Sequence, residues 1–191
     1  MADFIPSRQT CIALMDQEGM LPNIKAHSLQ VARIAVCLAK NLKAHFPEMN
    51  MGLVEAGALL HDIAKTECLK TRGNHALVGE EKVRAMGFDP LAPIVAQHVL
   101  LENKYFHNGC LDEVVLVHYA DKRVRHEEIV DLEERFTYLV ETYGRSQEAV
   151  ERIKALYQDT LKVEKMIFLH LHFPPHALRD HLEMSCSRER D

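Results

Sequence analysis

The segment from Val54 to Leu60 is apolar on nearly every side, and it runs directly into an ionisable pair, His61 and Asp62. A helix that is apolar all round is buried on every side. An imidazole and a carboxylate in such a helix cost several kcal/mol unless they are paired or bound to a metal. We therefore expect this segment to lie at the centre of the fold, with His61 and Asp62 compensated there.

The rest of the chain also shows helical periodicity, and His27, Val31, Ile34 and Leu38 form one apolar stripe. Alternating strand patterns, internal repeats and low-complexity linkers are absent from the sequence. We therefore predict one all-α domain over residues 1–191, with a motif core at about 23–125 and a helical extension at about 126–185. The predicted helices are 7–18, one capped by Asn23, 49–65, 75–86, 90–102, 112–125, 131–144 and 146–170, with loops at 66–74 and 103–109.

Metal-competent side chains recur in other apolar segments. His98 lies inside the run 94–101, Asp121 follows the run 114–120, and His27 lies on the apolar stripe of its own helix. Four separate helices thus direct an imidazole or a carboxylate towards the core. A single bound ion can compensate several such groups at once, so this recurrence predicts a metal site.

The order His27, His61-Asp62, Asp121 resembles the signature of the HD-domain metal-dependent phosphohydrolases, and residues 61–65 resemble the family's His-Asp-x-x-Lys core. His75 and His98 are similar to the two additional histidines of the binuclear branch, which includes the bacterial symmetrical diadenosine-tetraphosphate hydrolases. The resemblance implies an all-α HD-domain helical bundle with flanking N- and C-terminal helices.

The resemblance also implies a set of six metal ligands, in which Asp62 bridges two divalent transition metals. One metal is expected on His27, His61 and Asp121, and the other on His75 and His98. Fe or Mn fits this donor set best, with Zn, Co, Ni or Mg as alternatives. Because His75 begins a helix beside a loop, a surface or capping role is the alternative for it, and a single-metal site would then remain.

Several further residues are candidates for catalysis or substrate binding. Asp62 and Lys65 are expected to be catalytic, and Lys65 to bind a phosphate oxygen as a point charge, with a solvated surface lysine as the alternative. His118 is expected to contact substrate or to pack behind the site. Adjacent positions point in different directions, so at most one or two of the cations Lys122, Arg123 and Arg125 are expected to face the site. His107 is a candidate for the rim, whereas His170, His172, His176 and His181 are not expected to bind metal.

These expectations predict a metal-dependent phosphohydrolase in which a metal-activated hydroxide cleaves a phosphoester or phosphoanhydride of a nucleotide or small phosphorylated metabolite. The alternatives are a non-catalytic nucleotide-sensing HD module and a single-metal nucleoside 5′-monophosphatase. A role in RNA processing is disfavoured by the formal net charge of −5 and by the absence of a basic tail.

The sequence carries no feature of a secretory signal, and its apolar runs are too short to cross a membrane. The five cysteines at positions 11, 37, 68, 110 and 186 are scattered and odd in number, which is typical of free thiols in a reducing compartment. We therefore expect a cytoplasmic protein without a membrane partner. The oligomeric state is left open.

Overall fold

A computed structural model describes residues 4–107 and 111–188, without the side chains of 107 and 185–188. Of the described residues, 71% are helical, which confirms the all-α fold class. The described elements include two strands, each of two residues, which pair antiparallel with Val124 opposite Ile129. In chain order the elements are α1 (Arg8–Gln17), α2 (Pro22–Leu42), α3 (Met51–Leu60), α4 (Lys65–Thr71), α5 (His75–Ala85), α6 (Ala92–Gln97), α7 (Lys104–His107), α8 (Glu113–Lys122), β1 (Val124–Arg125), β2 (Glu128–Ile129), α9 (Leu132–Tyr143), α10 (Gln147–Phe168) and α11 (Leu178–Arg188).

Helix α3 lies at the centre of this bundle, as its apolar sequence predicts. It packs against α1, α2, α6 and α8. Six of its ten residues are buried, and Leu59 and Leu60 are completely inaccessible. The stripe of α2 that begins at His27 faces α3 and is buried along its length. These contacts bring the C-terminal end of α3, where His61 follows, close to α2 and α8.

Two glycines allow α6 to approach its neighbours closely. A Cβ atom on Gly57 of α3 would lie 2.7 Å from Cδ1 of Ile94, and one on Gly79 of α5 would lie 2.8 Å from Cγ1 of Val95. Distances this short exclude a larger side chain unless the helices move apart. Helix α6 is therefore in close contact with both α3 and α5, immediately before His98.

Several described helices begin with a capping side chain. The side chains of Ser7, Asp112, Asp131 and Ser146 each accept a hydrogen bond from a backbone N–H of the first helical turn. The predicted cap of α2 at Asn23 is wrong, because this helix begins at Pro22 with Leu21 in the capping position. Proline fits the first helical position, where its missing N–H removes no hydrogen bond.

Several predicted boundaries differ from the structure, and α7 occupies part of the predicted loop 103–109. The predicted helix 49–65 ends at Leu60, and α4 occupies part of the predicted loop 66–74. Only Cys68 of α4 is buried, so this polar helix has no apolar stripe to reveal it. Helix α6 ends at Gln97 rather than at 102, and α8 ends at Lys122, where the β1–β2 hairpin follows. The hairpin turns at His126, whose φ of 56° lies in the left-handed region.

Cys11, Cys37 and Cys68 are buried and form no disulfide bond in the described part of the chain. Cys110 and the side chain of Cys186 lie outside the described residues. In the described part of the chain, no helix combines the length and the apolar character needed to cross a membrane.

Candidate metal centre

Six of the predicted site residues come together as two adjacent triads of metal-competent side chains. The ligand atoms within each triad all lie within 4.8 Å of one another. Five stretches of the chain, in or beside α2, α3, α5, α6 and α8, contribute to them. The first triad is His27, His61 and Asp121, and the second is Asp62, His75 and His98.

Asp62 lies between the triads and faces both. Its Oδ1 is 3.3 Å from Nε2 of His75 and 3.4 Å from Nε2 of His98. Its Oδ2 is 3.4 Å from Nε2 of His61, in the other triad. This is the position expected of a bridging carboxylate. The grouping of the residues agrees with the predicted division between two ions, and the ligand assignment itself stays a prediction.

Three of the histidines are oriented by backbone carbonyl groups. Nδ1 of His27 lies 3.0 Å from the carbonyl oxygen of His126, and Nδ1 of His61 lies 2.7 Å from that of Ala58. Nδ1 of His98 is 2.7 Å from the carbonyl of Val95. A carbonyl can only accept, so each Nδ1 carries the proton. In the neutral form of each ring, Nε2 then presents its lone pair to the centre, as in histidines that bind metals.

Two buried atoms in this centre lack a hydrogen-bond partner among the described residues. They are Nε2 of His61 and Oδ1 of Asp62, one in each triad. An unpaired polar atom in a buried position costs about 1–3 kcal/mol, so native structures rarely keep one without a ligand. A cation beside each atom would satisfy both, and imidazole with carboxylate is a donor set that divalent transition metals accept.

The protonation states of the two carboxylates and of His75 also suit metal binding. Burial opposes the charged form of Asp62, but neighbouring His61 and Lys65 outweigh it and hold the pKa well below the usual range. The pKa of Asp121 is likewise well below its usual range, because burial is outweighed chiefly by Lys122. Burial lowers the pKa of His75 to about 4. Ionised carboxylates and neutral imidazoles are the forms that ligate metals.

Two lysines contact the carboxylates. Buried Lys122 donates from Nζ to Oδ2 of Asp121 at 2.7 Å and to the carbonyl of His98 at 2.8 Å. It therefore connects a residue of the first triad to a residue of the second. Lys65 donates to Oδ2 of Asp62 at 2.7 Å, and 38% of its side chain is exposed. Lys65 reaches Asp62 across the turn between α3 and α4, not along one continuous helix as the sequence suggested.

The second triad and both lysines open into a cavity of about 460 Å³. Asp62, His75, His98, Asp121 and Lys122 form its inner end. The opposite wall consists of α9 and α10, and residues of α4 complete the mouth. A cavity of this size accommodates a small molecule and keeps the triads in contact with solvent.

Arg123 does not reach this cavity, contrary to the expectation that it binds substrate. Its guanidinium is buried between other elements, where it donates to Tyr119, to the carbonyls of Val130 and Pro175, and to Glu164. These bonds tie α8 to α10 and to the segment before α11. Arg125 also points elsewhere and pairs with Glu128 and Glu134, at 2.9 and 2.8 Å.

Of the two roles expected for His118, substrate contact or packing behind the site, the structure agrees with the second. It is fully buried behind the site, and its Nδ1 lies 3.3 Å from the carbonyl of Gln97. Burial lowers its pKa to about 3. The side chain of His107, expected at the rim, lies outside the described residues. His170 packs against the ring of Phe46, and His181 stacks on Phe173.

Sequence reasoning missed two residues that the structure brings to the site. His126 supplies the carbonyl that orients His27, from a hairpin that no strand pattern reveals. Arg135 of α9 lines the cavity, although it is far from the motif in sequence and looks like an ordinary surface arginine. The sequence predicted the helix that contains Arg135, but it did not indicate which side of that helix faces the cavity.

Comparison with known proteins places this site in a family. The HD domain family matches residues 24–139, which are more than half of the chain. A tRNA (cytidine(56)-2′-O)-methyltransferase of Thermoplasma volcanium is 30% identical over 146 residues, covering 66% of this chain and 41% of that protein. A ribonuclease Y of Chloroflexus aurantiacus is 32% identical over 139 residues, covering 70% of this chain and 26% of that protein.

An uncharacterised protein of Methanocaldococcus jannaschii is 27% identical over 145 residues, covering 69% of this chain and 83% of that protein. No solved structure matches the chain. The chain thus spans less than half of the methyltransferase and about a quarter of the ribonuclease. A particular similarity to diadenosine-tetraphosphate hydrolases is not shown by these matches. The matched family region contains all six residues of the two triads, and the chain belongs to the HD domain family.

Proposed function

We propose that the chain is a metal-dependent phosphohydrolase that cleaves a phosphoester or phosphoanhydride. The observation that carries this proposal is the pair of adjacent triads, with Asp62 of the second facing both, beside a cavity that Lys65 also lines. A purely structural metal site is closed by its ligands. A site that faces a small-molecule cavity leaves room for water and substrate.

The proposed ligands are His27, His61 and Asp121 for one ion and His75, His98 and Asp62 for the other. Divalent ions such as Fe or Mn would lower the pKa of water and neutralise phosphoryl oxygens when bound there. The two unpaired buried atoms, Nε2 of His61 and Oδ1 of Asp62, support this fit.

The remaining residues then have distinct tasks. Asp62 pulls the pKa of Lys65 upwards against the effect of burial, so Lys65 is a cation at neutral pH. Its partly exposed ammonium can leave Oδ2 of Asp62 and bind a phosphate oxygen. Lys122 is enclosed, so it holds Asp121 and the backbone of His98 in position rather than contacting substrate. The three backbone carbonyls that accept from imidazole Nδ1 atoms keep the ligands oriented.

A second candidate function is cleavage of RNA. The named ribonuclease Y relative, which matches 70% of this chain, favours it. The net charge of −5 is a weaker argument against nucleic acid than the sequence suggested, because Lys65, Lys122 and Arg135 place positive charge locally at the cavity. Nucleic acid therefore stays among the substrates to be tested.

The test uses the full chain, loaded separately with Mn²⁺ or Fe²⁺ and assayed for metal content. Hydrolysis is measured on nucleoside mono- and polyphosphates, small alkyl phosphates and short RNAs, with an Asp62→Asn variant beside the wild type. Exposed Asp180, on α11, supplies the matched control Asp180→Asn. We expect the Asp62 variant to lose on the order of 100-fold or more in rate, since the group acts at the reacting centre, together with part of the bound metal.

Two outcomes would contradict the proposal. If the metal-loaded wild type hydrolyses none of these compounds but binds a nucleotide, the chain is a nucleotide-sensing module. If Asp62→Asn retains both the rate and the metal content of the wild type, Asp62 is not a bridging ligand. A preference for RNA over all small phosphates would favour the second candidate.

A further inference from the structure

Arg135 is a cation on the cavity wall that lacks an anionic partner in the described structure. Its Nε is buried and forms no hydrogen bond there, and no described carboxylate pairs with it. The guanidinium carbon lies 5.8 Å from the centroid of the Tyr138 ring, which packs against it. By contrast, Arg8, Arg84 and Arg123 each contact a carboxylate. An arginine held in place with unsatisfied donors suits an anionic ligand.

Arg135 shares the cavity with two other cations. Lys65 and Lys122 line the same cavity, so three positively charged side chains are brought together there. The carboxylates of Asp62 and Asp121 neutralise two of these three positive charges. Divalent ions bound to the carboxylates would take up that negative charge and leave the three cations without it. The repulsion among the cations is then relieved when an anion enters between them. A phosphate group is an anion whose oxygens match the planar fork of a guanidinium.

The wall around Arg135 is apolar. Leu139 and Tyr143 come from α9, and Ile153 and Leu156 come from α10. Tyr143 is 58% exposed although it lines the cavity, so its aromatic ring is accessible at the mouth. Leu69 of α4 is 64% exposed on the same rim. An accessible aromatic ring with aliphatic neighbours beside an arginine is a surface on which a nucleobase can stack.

We propose that this α9–α10 wall binds the organic part of the substrate and that the substrate contains a nucleoside phosphate. Arg135 binds a non-bridging phosphate oxygen, opposite Lys65, and Tyr143 with Leu139 and Leu156 receives the base. The proposal rests on the proposed hydrolytic function for the position of the phosphate. It extends that function by naming Arg135 and Tyr143 as substrate-binding residues.

Binding of uncleavable probes to the metal-loaded full chain tests this by calorimetry. The first probe is methylphosphonate, and the second is the phosphonate analogue of adenosine 5′-monophosphate, in which CH₂ replaces the bridging oxygen. These probes differ only in the nucleoside. A third probe, a short RNA with phosphorothioate linkages, distinguishes a free nucleotide from an RNA end. Metal content is measured in parallel.

The variants test the phosphate contact of Arg135 and the base contact of Tyr143 separately. We expect Arg135→Gln to weaken both phosphonates about tenfold, the effect of losing one charge-assisted hydrogen bond, and Arg135→Lys to recover part of that loss. We expect Tyr143→Ser to weaken only the nucleoside phosphonate, also about tenfold, through loss of stacking. Arg152→Gln and Leu169→Ser remove an exposed arginine and an exposed leucine outside the cavity, and should change neither affinity. Metal content should be unchanged throughout.

Three results would overturn the inference. Arg135→Gln could bind both probes as tightly as the wild type, or could lose metal along with affinity. The wild type could also bind the nucleoside phosphonate no more tightly than methylphosphonate. Failure of the proposed hydrolytic function is distinguishable from failure of this inference. In that case the wild type binds these probes but hydrolyses no phosphate ester. Tighter binding of the RNA probe than of the mononucleotide analogue identifies an RNA end as the source of the nucleotide.

Discussion

Nε2 of His75 lies 3.1 Å from Nε2 of His98, and both nitrogens face Oδ1 of Asp62. The two histidines are 23 residues apart and belong to different helical segments. Burial lowers the pKa of both imidazoles, and that of His75 falls to about 4, so neither carries an extra proton at neutral pH. Two neutral imidazoles that converge on one carboxylate oxygen are arranged as metal ligands.

Removal of either histidine should therefore remove one ion and leave the other. We expect His75→Ala and His98→Ala to lower the metal stoichiometry from near two to near one, because His27, His61 and Asp121 form a separate triad. Elemental analysis of purified protein measures this. His172→Ala, at an exposed position, is the matched control. A stoichiometry equal to that of the wild type in both variants would exclude these residues as ligands.

The convergence of His75 and His98 depends on Gly79. A Cβ at this position would already lie 2.8 Å from Cγ1 of Val95, so Gly79→Val forces Val95 or the packing of α5 on α6 to shift. We expect a loss of about 1–3 kcal/mol in the free energy of unfolding from overpacking, together with loss of the second ion. Denaturant titration and metal analysis measure the two effects. Leu77→Val, at an exposed position of the same helix, should leave metal content unchanged; equal metal content in Gly79→Val would contradict the argument.

Lys122 should stabilise the protein most when metal is absent. Lys122→Met leaves Asp121 buried without its ammonium partner, and breaking a buried pair costs about 3–5 kcal/mol. Bound metal supplies positive charge to Asp121, so adding Mn²⁺ should reduce this loss. Unfolding with and without Mn²⁺ tests the difference, with Lys165→Met as an exposed control. An equal loss under both conditions would argue against Asp121 as a ligand.

Arg123 should matter for stability and not for the site. Arg123→Met removes a buried guanidinium from Glu164, Tyr119 and two backbone carbonyls, which should cost about 3 kcal/mol or more in the free energy of unfolding. Metal content and the KM for any substrate should stay near those of the wild type at temperatures where the variant is folded. A raised KM with unchanged stability would show that Arg123 contacts substrate after all.

The metal-free protein should lose stability as the pH falls below about 6.5. The folded pKa of His118 is lowered to about 3, below the unfolded value of about 6.5, so between these values the unfolded state binds more protons. His118→Gln removes this contribution and should flatten the slope of stability against pH by up to about 1.4 kcal/mol per pH unit. Chelator-treated samples unfolded at pH 4.5–7 provide the measurement, with His172→Gln as the control. An unchanged slope would show that His118 is not held buried and neutral in the folded protein.

The chain's local patterns determined the helical class and the candidate ligands. The apolar run before His61 requires burial, and a buried imidazole beside a buried carboxylate requires compensation, so the central position of α3 follows from sequence alone. The caps at Ser7, Asp112, Asp131 and Ser146 were predictable for a similar reason, since each acts within one turn of its own helix. Such information is encoded by residues near one another in the chain.

Only the tertiary structure decided which neighbouring side chains face the site. Lys122 and Arg123 are adjacent cations in sequence, yet one links the triads and the other ties α8 to α10. Arg135 lines the cavity together with Leu139 and Tyr143 of the same helix, and the carbonyl that orients His27 lies 99 residues later in the chain. These positions depend on how helices approach and turn relative to one another. The lack of a side chain at Gly57 and Gly79 permits that approach. Helical periodicity in the sequence does not indicate how closely two helices approach each other.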